Sequence, residues 1–211
     1  MGRLINGING PIQGKVGSVI GSSRNGVPYI KGPYKKRTQT VSRKEMANRE
    51  KFSLAQAWLQ PLLDFVRVGF KGYSQRSQGF VSAKSLLLKT AFVNDESGLR
   101  IDPSLVKVSF GDLPLPKNFK VKLIEKKELE FRWDPGEQTW DGAANDQIMM
   151  LAYCVGKELT IQNTTGQFRK VGRDKLSLEG SDNETFHVYA AFCASDRSRQ
   201  SDSVYLGEFK V

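Results

Sequence analysis

One histidine and two cysteines among 211 residues leave little room for metal or thiol chemistry. A usual zinc site takes four nitrogen or sulfur ligands, which His187, Cys154 and Cys193 cannot supply. The two cysteines are too few and too far apart for a disulfide framework. In a reducing compartment they read as small apolar residues. Long apolar runs are missing too: the longest, Ile148 to Val155, falls well short of the ~18 residues a membrane span needs. Residues 1–7 lack the apolar centre of a signal peptide. Asn6 also stands where myristoylation on Gly2 wants Ser or Thr. The expectation is a cytoplasmic protein with no membrane partner.

Motifs for catalysis are equally scarce. Gly10-Pro-Ile-Gln-Gly-Lys15 misses a phosphate-binding loop, which needs four residues between its glycines and Ser or Thr after the lysine. Here Val16 follows, and the stretch enters a strand where a phosphate loop enters a helix. No nucleophile elbow surrounds any serine. His187 alternates with Phe186 and Val188 and is expected on an outer strand face. Acidic residues fall in turns or at outward strand positions, where a solvated role is expected in place of a paired catalytic one. The chain is therefore read as non-enzymatic and without a cofactor.

What is present is globular: 39% hydrophobic and 26% charged residues argue against global disorder. The charge is uneven. Residues 1–100 hold 17 basic and 5 acidic side chains, residues 101–211 hold 15 and 17, and residues 1–51 alone carry 11 and 2. Such asymmetry points the N-terminal part toward an acidic or polyanionic partner.

Three parts are expected: a Gly-rich basic β-hairpin arm over 1–34, a basic linker and helical segment over 35–100, and a β-sandwich over 101–211. In the arm, Asn25-Gly26 between β-branched runs is a two-residue hairpin signal. Gly14 to Gly21 reads as one strand, with Val16, Ser18 and Ile20 on one face and Gly17, Val19 and Gly21 on the other. Pro28 marks an edge strand. Gly32-Pro33 closes the hairpin. Ser42-Arg-Lys-Glu45 is a capping box, followed by a helix whose face carries Phe52, Ala55, Leu59, Leu62 and Val66, widened by Leu54, Trp58 and Phe65. Pro61 predicts a break near Gln60. A second helix is expected over Ser82–Phe92, with Leu87, Leu88, Ala91 and Phe92 buried.

From Leu105 the period becomes two. Val106, Val108 and Phe110 alternate, as do Val121 and Leu123, then Leu129, Phe131 and Trp133. Further strands are expected over Gln147–Val155, Leu159–Gln162, Lys175–Leu178, Thr185–Ala194 and Ser203–Phe209. Short strands at this spacing indicate a sandwich or barrel. Trp133 is the expected anchor, and residues 101–211 are expected to fold alone.

Leu129-Glu-Phe-Arg-Trp-Asp-Pro135 resembles the second strand of a fibronectin type III module. Phe186–Phe192 and Ser201–Gly207 resemble its last two strands. Phe186 stands where such modules carry a corner tyrosine. The whole chain also resembles a bacterial family of unknown function. The resemblance rests on Gly14–Gly21, Arg49-Glu-Lys-Phe52, Gly69-Phe-Lys71, Ile101-Asp102, Gly111–Pro114 and the Ser201-Asp-Ser-Val-Tyr-x-Gly207 ending. It implies no activity. The fold class expected is α+β, a hairpin and two or three helices followed by an Ig-like sandwich.

The candidate polyanion or partner site is Arg24, Lys31, Lys35, Lys36, Arg37, Arg43 and Lys44 around Tyr29 and Tyr34, a mixture suited to phosphate contact and stacking. Two functions are open: a structural or assembly protein with a protein partner or a second copy, and a non-specific nucleic-acid binder.

Overall fold

The computed structural model describes all residues except 1, 8, 25, 37, 39, 75–76, 96–97, 125–126, 137–142 and 179–182. The chain divides into two compact units, 1–46 and 47–211, where the sequence suggested divisions after 34 and 100.

The first unit is an antiparallel meander of β1 (Arg3–Leu4), β2 (Ile12–Val16), β3 (Val19–Arg24) and β4 (Val27–Lys31), paired in that order. The expected single strand over Gly14–Gly21 is corrected here, because the chain reverses at Gly17-Ser18 and Val16 pairs with Val19. Gly17 takes φ +56°, as Gly does at the first position of a type II′ turn. Val16, Ser18 and Ile20 therefore do not share a strand face. The second reversal is the expected one: Arg24 pairs with Val27 around Gly26 at φ +80°, while Asn25 lies outside the described residues. In a two-residue hairpin the flanking pair is hydrogen-bonded, so the next residue, Pro28, turns its nitrogen away from β3. Proline, which has no amide hydrogen, fits that outward position on the edge strand.

α1 (Arg43–Leu59) starts where expected, with the Glu45 amide donating to Ser42 Oγ at 3.3 Å. Pro61 ends it in a 3-10 turn over Gln60–Leu62, after which α2 (Leu63–Gly69) continues. Phe52 does not join the buried face; it is 53% exposed, whereas Ala55, Trp58 and Leu59 are buried. α3 (Gly79–Thr90) starts three residues before Ser82. A side chain at residue 79 would crowd the Val66 carbonyl and Arg67 of α2, so glycine permits the close start.

An unexpected hairpin, β5 (Phe92–Asp95) with β6 (Gly98–Ile101), precedes the β-rich part. Val106–Phe110 is not a strand, although Val106 and Val108 are buried. Seven strands follow: β7 (Lys117–Ile124), β8 (Glu128–Asp134), β9 (Gln147–Cys154), β10 (Leu159–Asn163), β11 (Arg173–Ser177), β12 (Thr185–Cys193) and β13 (Val204–Lys210). They form two antiparallel sheets, ordered β11-β8-β7 and β10-β9-β12-β13. The result is a mixed α+β chain, mostly β.

Strand alternation makes two cores from one sheet. Ile148, Met150, Ala152, Phe186, Val188, Ala190 and Phe192 of β9 and β12 cluster with Leu129, Phe131, Trp133 and Leu176 of the other sheet. The opposite face of β9 and β12, with Met149, Leu151, Tyr153, Tyr189, Ala191 and Cys193, clusters with Trp58, Leu59, Leu62, Phe65, Val66, Phe70 and Leu87 of the helices. The four-stranded sheet is thus buried on both sides, which explains why β9 and β12 read as near-continuous apolar runs. His187 lies on this second face and is half-buried, not solvated.

Candidate functional site

Directly paired residues of an antiparallel sheet share a face. The pairs Lys15–Ile20, Ile20–Lys31, Ser22–Tyr29 and Arg24–Val27 therefore put Lys15, Arg24, Tyr29 and Lys31 on one face of the first unit's sheet. The pairs Val16–Val19, Gly14–Gly21, Gly21–Ile30 and Ser23–Pro28 define the other face, which carries no charge and is apolar apart from Ser23. Both faces are open: Tyr29 is 43% exposed and Ile30 62%. Gly21 is the only buried residue described in residues 1–46. A side chain there would strike the Ile12 carbonyl, because β2 bends over it at Gly14, whose φ is +97°.

The remaining candidates do not join that face. Tyr34, Lys35 and Lys36 are exposed in the irregular segment after β4, and Arg37 lies outside the described residues. Arg43 and Lys44 stand exposed in the first turn of α1. There the helix dipole disfavours positive charge, so they do nothing for that helix. Lys15 was missed because its face is fixed by the Gly17 turn.

In the second unit, three of the stretches quoted for the family resemblance meet. The Phe110 amide donates to the Gly69 carbonyl at 2.9 Å, and Ser109 Oγ donates to Gly69 O and Ser201 O at 3.1 and 2.7 Å. The Gly111 amide donates to Asp202 Oδ1 at 3.2 Å and the Val108 amide to Ser203 Oγ at 3.0 Å. Side chains at Gly69 or Gly111 would collide with the backbone of Val108 or Gln200. This junction spends its polar groups on itself. It joins the end of α2 to the loop before β13, a structural role that accounts for glycines and serines at those places.

Beside the junction lies a cleft of about 390 Å³ edged by Lys71, Tyr73, Phe110, Asp112, Arg199 and Gln200. Gln200 Nε2 donates to Lys71 O and Phe110 O at 2.6 and 3.0 Å, and Arg199 pairs with Asp112 at 3.0 Å. An apolar cleft of about 310 Å³ lies between α1 and β6, against Trp58 and Tyr153. Ser198, whose Oγ donates to Asp196 Oδ1 at 2.6 Å, also lines the first cleft.

Two titratable clusters lie elsewhere. Arg169 and Asp146 form a buried ion pair at 3.4 Å, and burial pushes the Asp146 carboxyl up and the Arg169 guanidinium down. His187 Nδ1 meets Tyr205 Oη at 3.0 Å, and burial lowers the imidazole's pKa. Among the described residues, no group of three His, Cys, Asp or Glu side chains could hold a metal ion. No helix there is long and apolar enough to cross a membrane.

A family model described as a family of unknown function (DUF6266) matches residues 11–207. No curated protein and no solved structure matches.

Proposed function

We propose that the chain, which belongs to this family of unknown function, is a non-enzymatic assembly protein whose N-terminal sheet docks on another subunit. One observation carries the reading: residues 1–46 form a four-stranded sheet that buries only Gly21 among its described residues. A sheet needs a covered apolar face to be stable. Val16 and Ile30 lie exposed on the uncharged face. A neighbouring chain would cover them.

Strands β7–β13 of the second unit fit a fibronectin type III-like sandwich as the rigid body that carries this arm. Three facts support that assignment. Sheets of three and four strands share a core; Trp133 sits on the second of the seven strands, and the matched motifs fall on the sixth and seventh. Phe186 in place of the corner tyrosine is a departure, and experimental mapping of strand pairing tests the assignment.

The assembly reading is tested by the solution mass of the full chain, of a form lacking residues 1–34, and of Val16→Ser/Ile30→Ser. The expected result is an oligomer that salt does not dissociate, converted to monomer by either change. A full-length chain that is monomeric, or an oligomer indifferent to both changes, overturns it.

A further inference from the structure

We infer that the Lys15–Arg24–Lys31 face of β2, β3 and β4 is a nucleic-acid surface that ignores sequence, with Tyr29 as its stacking platform. The inference goes beyond the assembly reading, which rests on the opposite face of the same sheet.

Charge comes first. The nine basic residues from Arg3 to Lys44 are accompanied by no acidic residue before Glu45. Local ion pairs within this stretch therefore cannot neutralise them, and an external polyanion can. Lysines that merely protect a sheet edge belong on edge strands. Here the cations are spread over three strands, Lys15 on β2, Arg24 on β3 and Lys31 on β4, and do not form a row along one edge. Pairing still brings all three to one face.

Arrangement comes second. Lys15 and Lys31 occupy one row on either side of Ile20, two strand spacings or about 10 Å apart. Tyr29 is two residues from Lys31 along β4. Its direct cross-strand neighbour is Ser22, whose small side chain leaves that flank of the ring open. Arg24, diagonal to Tyr29 across β3 and β4, is the third cation on this face. Cations that meet the backbone around an exposed aromatic that meets a base are the elements of single-strand binding. Phosphate contact and stacking on one ring carry no base identity, so sequence indifference follows.

The test uses the full chain with an oligothymidine, a duplex of equal length, and phosphatidylserine vesicles, each titrated with salt. The expected result is binding to the oligothymidine that weakens steeply with salt. Lys15→Gln/Arg24→Gln/Lys31→Gln should flatten the logarithmic slope by about two units, at about 0.7 per phosphate on a single strand. Tyr29→Ala should lose about tenfold on the single strand and little on the duplex. Three outcomes overturn the inference: a slope untouched by the triple change, an equal loss from Lys120→Gln/Lys122→Gln/Lys210→Gln in the second unit, or binding to vesicles without binding to either oligonucleotide. The solution mass of the triple variant keeps the two readings apart. It stays that of the unaltered chain if assembly uses the other face, whatever happens to nucleic acid.

Discussion

Trp133 Nε1 donates to the main-chain oxygen of Arg169 at 2.8 Å. The same arginine reaches Pro114 O with its Nη2 at 2.6 Å and lays its guanidinium 4.5 Å from the centre of the Phe192 ring. A buried cation is therefore held by the Phe192 ring face, the Pro114 carbonyl oxygen and one carboxylate, Asp146. Removing either charge leaves the other buried alone.

Arg169→Met or Asp146→Ala should each destabilise the second unit by about 3–5 kcal/mol. The paired change Arg169→Met/Asp146→Leu should cost less than the sum, which urea melts of all three forms would measure. The pH dependence has a definite sign. Burial raises the Asp146 pKa above its unfolded value, so the folded state binds that proton more tightly. Its contribution is full below the unfolded value near 4, shrinks as pH rises through the folded value, and is flat above it. Asp146→Ala should remove that slope.

The division of the chain can be tested directly. A fragment of 47–211 should melt cooperatively, because it keeps both clusters that sandwich β9 and β12. A fragment of 101–211 would expose Met149, Leu151, Tyr153 and Tyr189 by losing the helices that cover them. It should bind a hydrophobic dye and melt without cooperativity. A sharp melt of the shorter fragment would restore the division expected from the sequence.

Much of the β part was legible because β8 alternates strictly and β9 and β12 are long apolar runs, and the helix break followed from Pro61 alone. Other features depended on distant partners. Val106–Phe110 has a strand's alternation, yet its backbone groups are taken by Ser203, Gly69 and Ser109 contacts across the junction, so no ladder forms. Sequence placed His187 on the strand face opposite Phe186 and Val188 but gave no sign that it would be half-buried beside Tyr205. Arg169, in a loop between strands, gave no local sign of burial. Of the candidate site, Arg24, Tyr29 and Lys31 come together on one face, while Lys35, Lys36, Arg43 and Lys44 remain a string along the chain.

Tyr189 Oη donates to Pro103 O at 2.6 Å. Tyr189→Phe should cost about 1 kcal/mol, with more if the carbonyl is left dry. Tyr153 faces the same helices, and burial pushes its phenol above the ordinary tyrosine value, up to about 12. Its contribution is full below pH 10 and is lost as pH rises toward 12, since the unfolded phenol ionises first. An alkaline absorbance titration should lose a late step in Tyr153→Phe.

Gly21→Ala should disorder the first unit, since the new methyl would overlap the Ile12 carbonyl. Gly32→Ala meets no atom within 4 Å and should be silent. Proteolysis within residues 1–46 would report the difference, faster cleavage being expected for Gly21→Ala alone.

Pro28 sets a limit on what this chain can build. Its nitrogen faces outward from β4 and carries no hydrogen, so a strand arriving at that edge finds a missing rung at the first outward position. Growth by adding sheet to sheet, the route to open-ended fibres, is weakened there. Under the proposed assembly, subunits that meet through the broad face of the arm instead would be free to close on themselves after a fixed number, giving a particle of defined size.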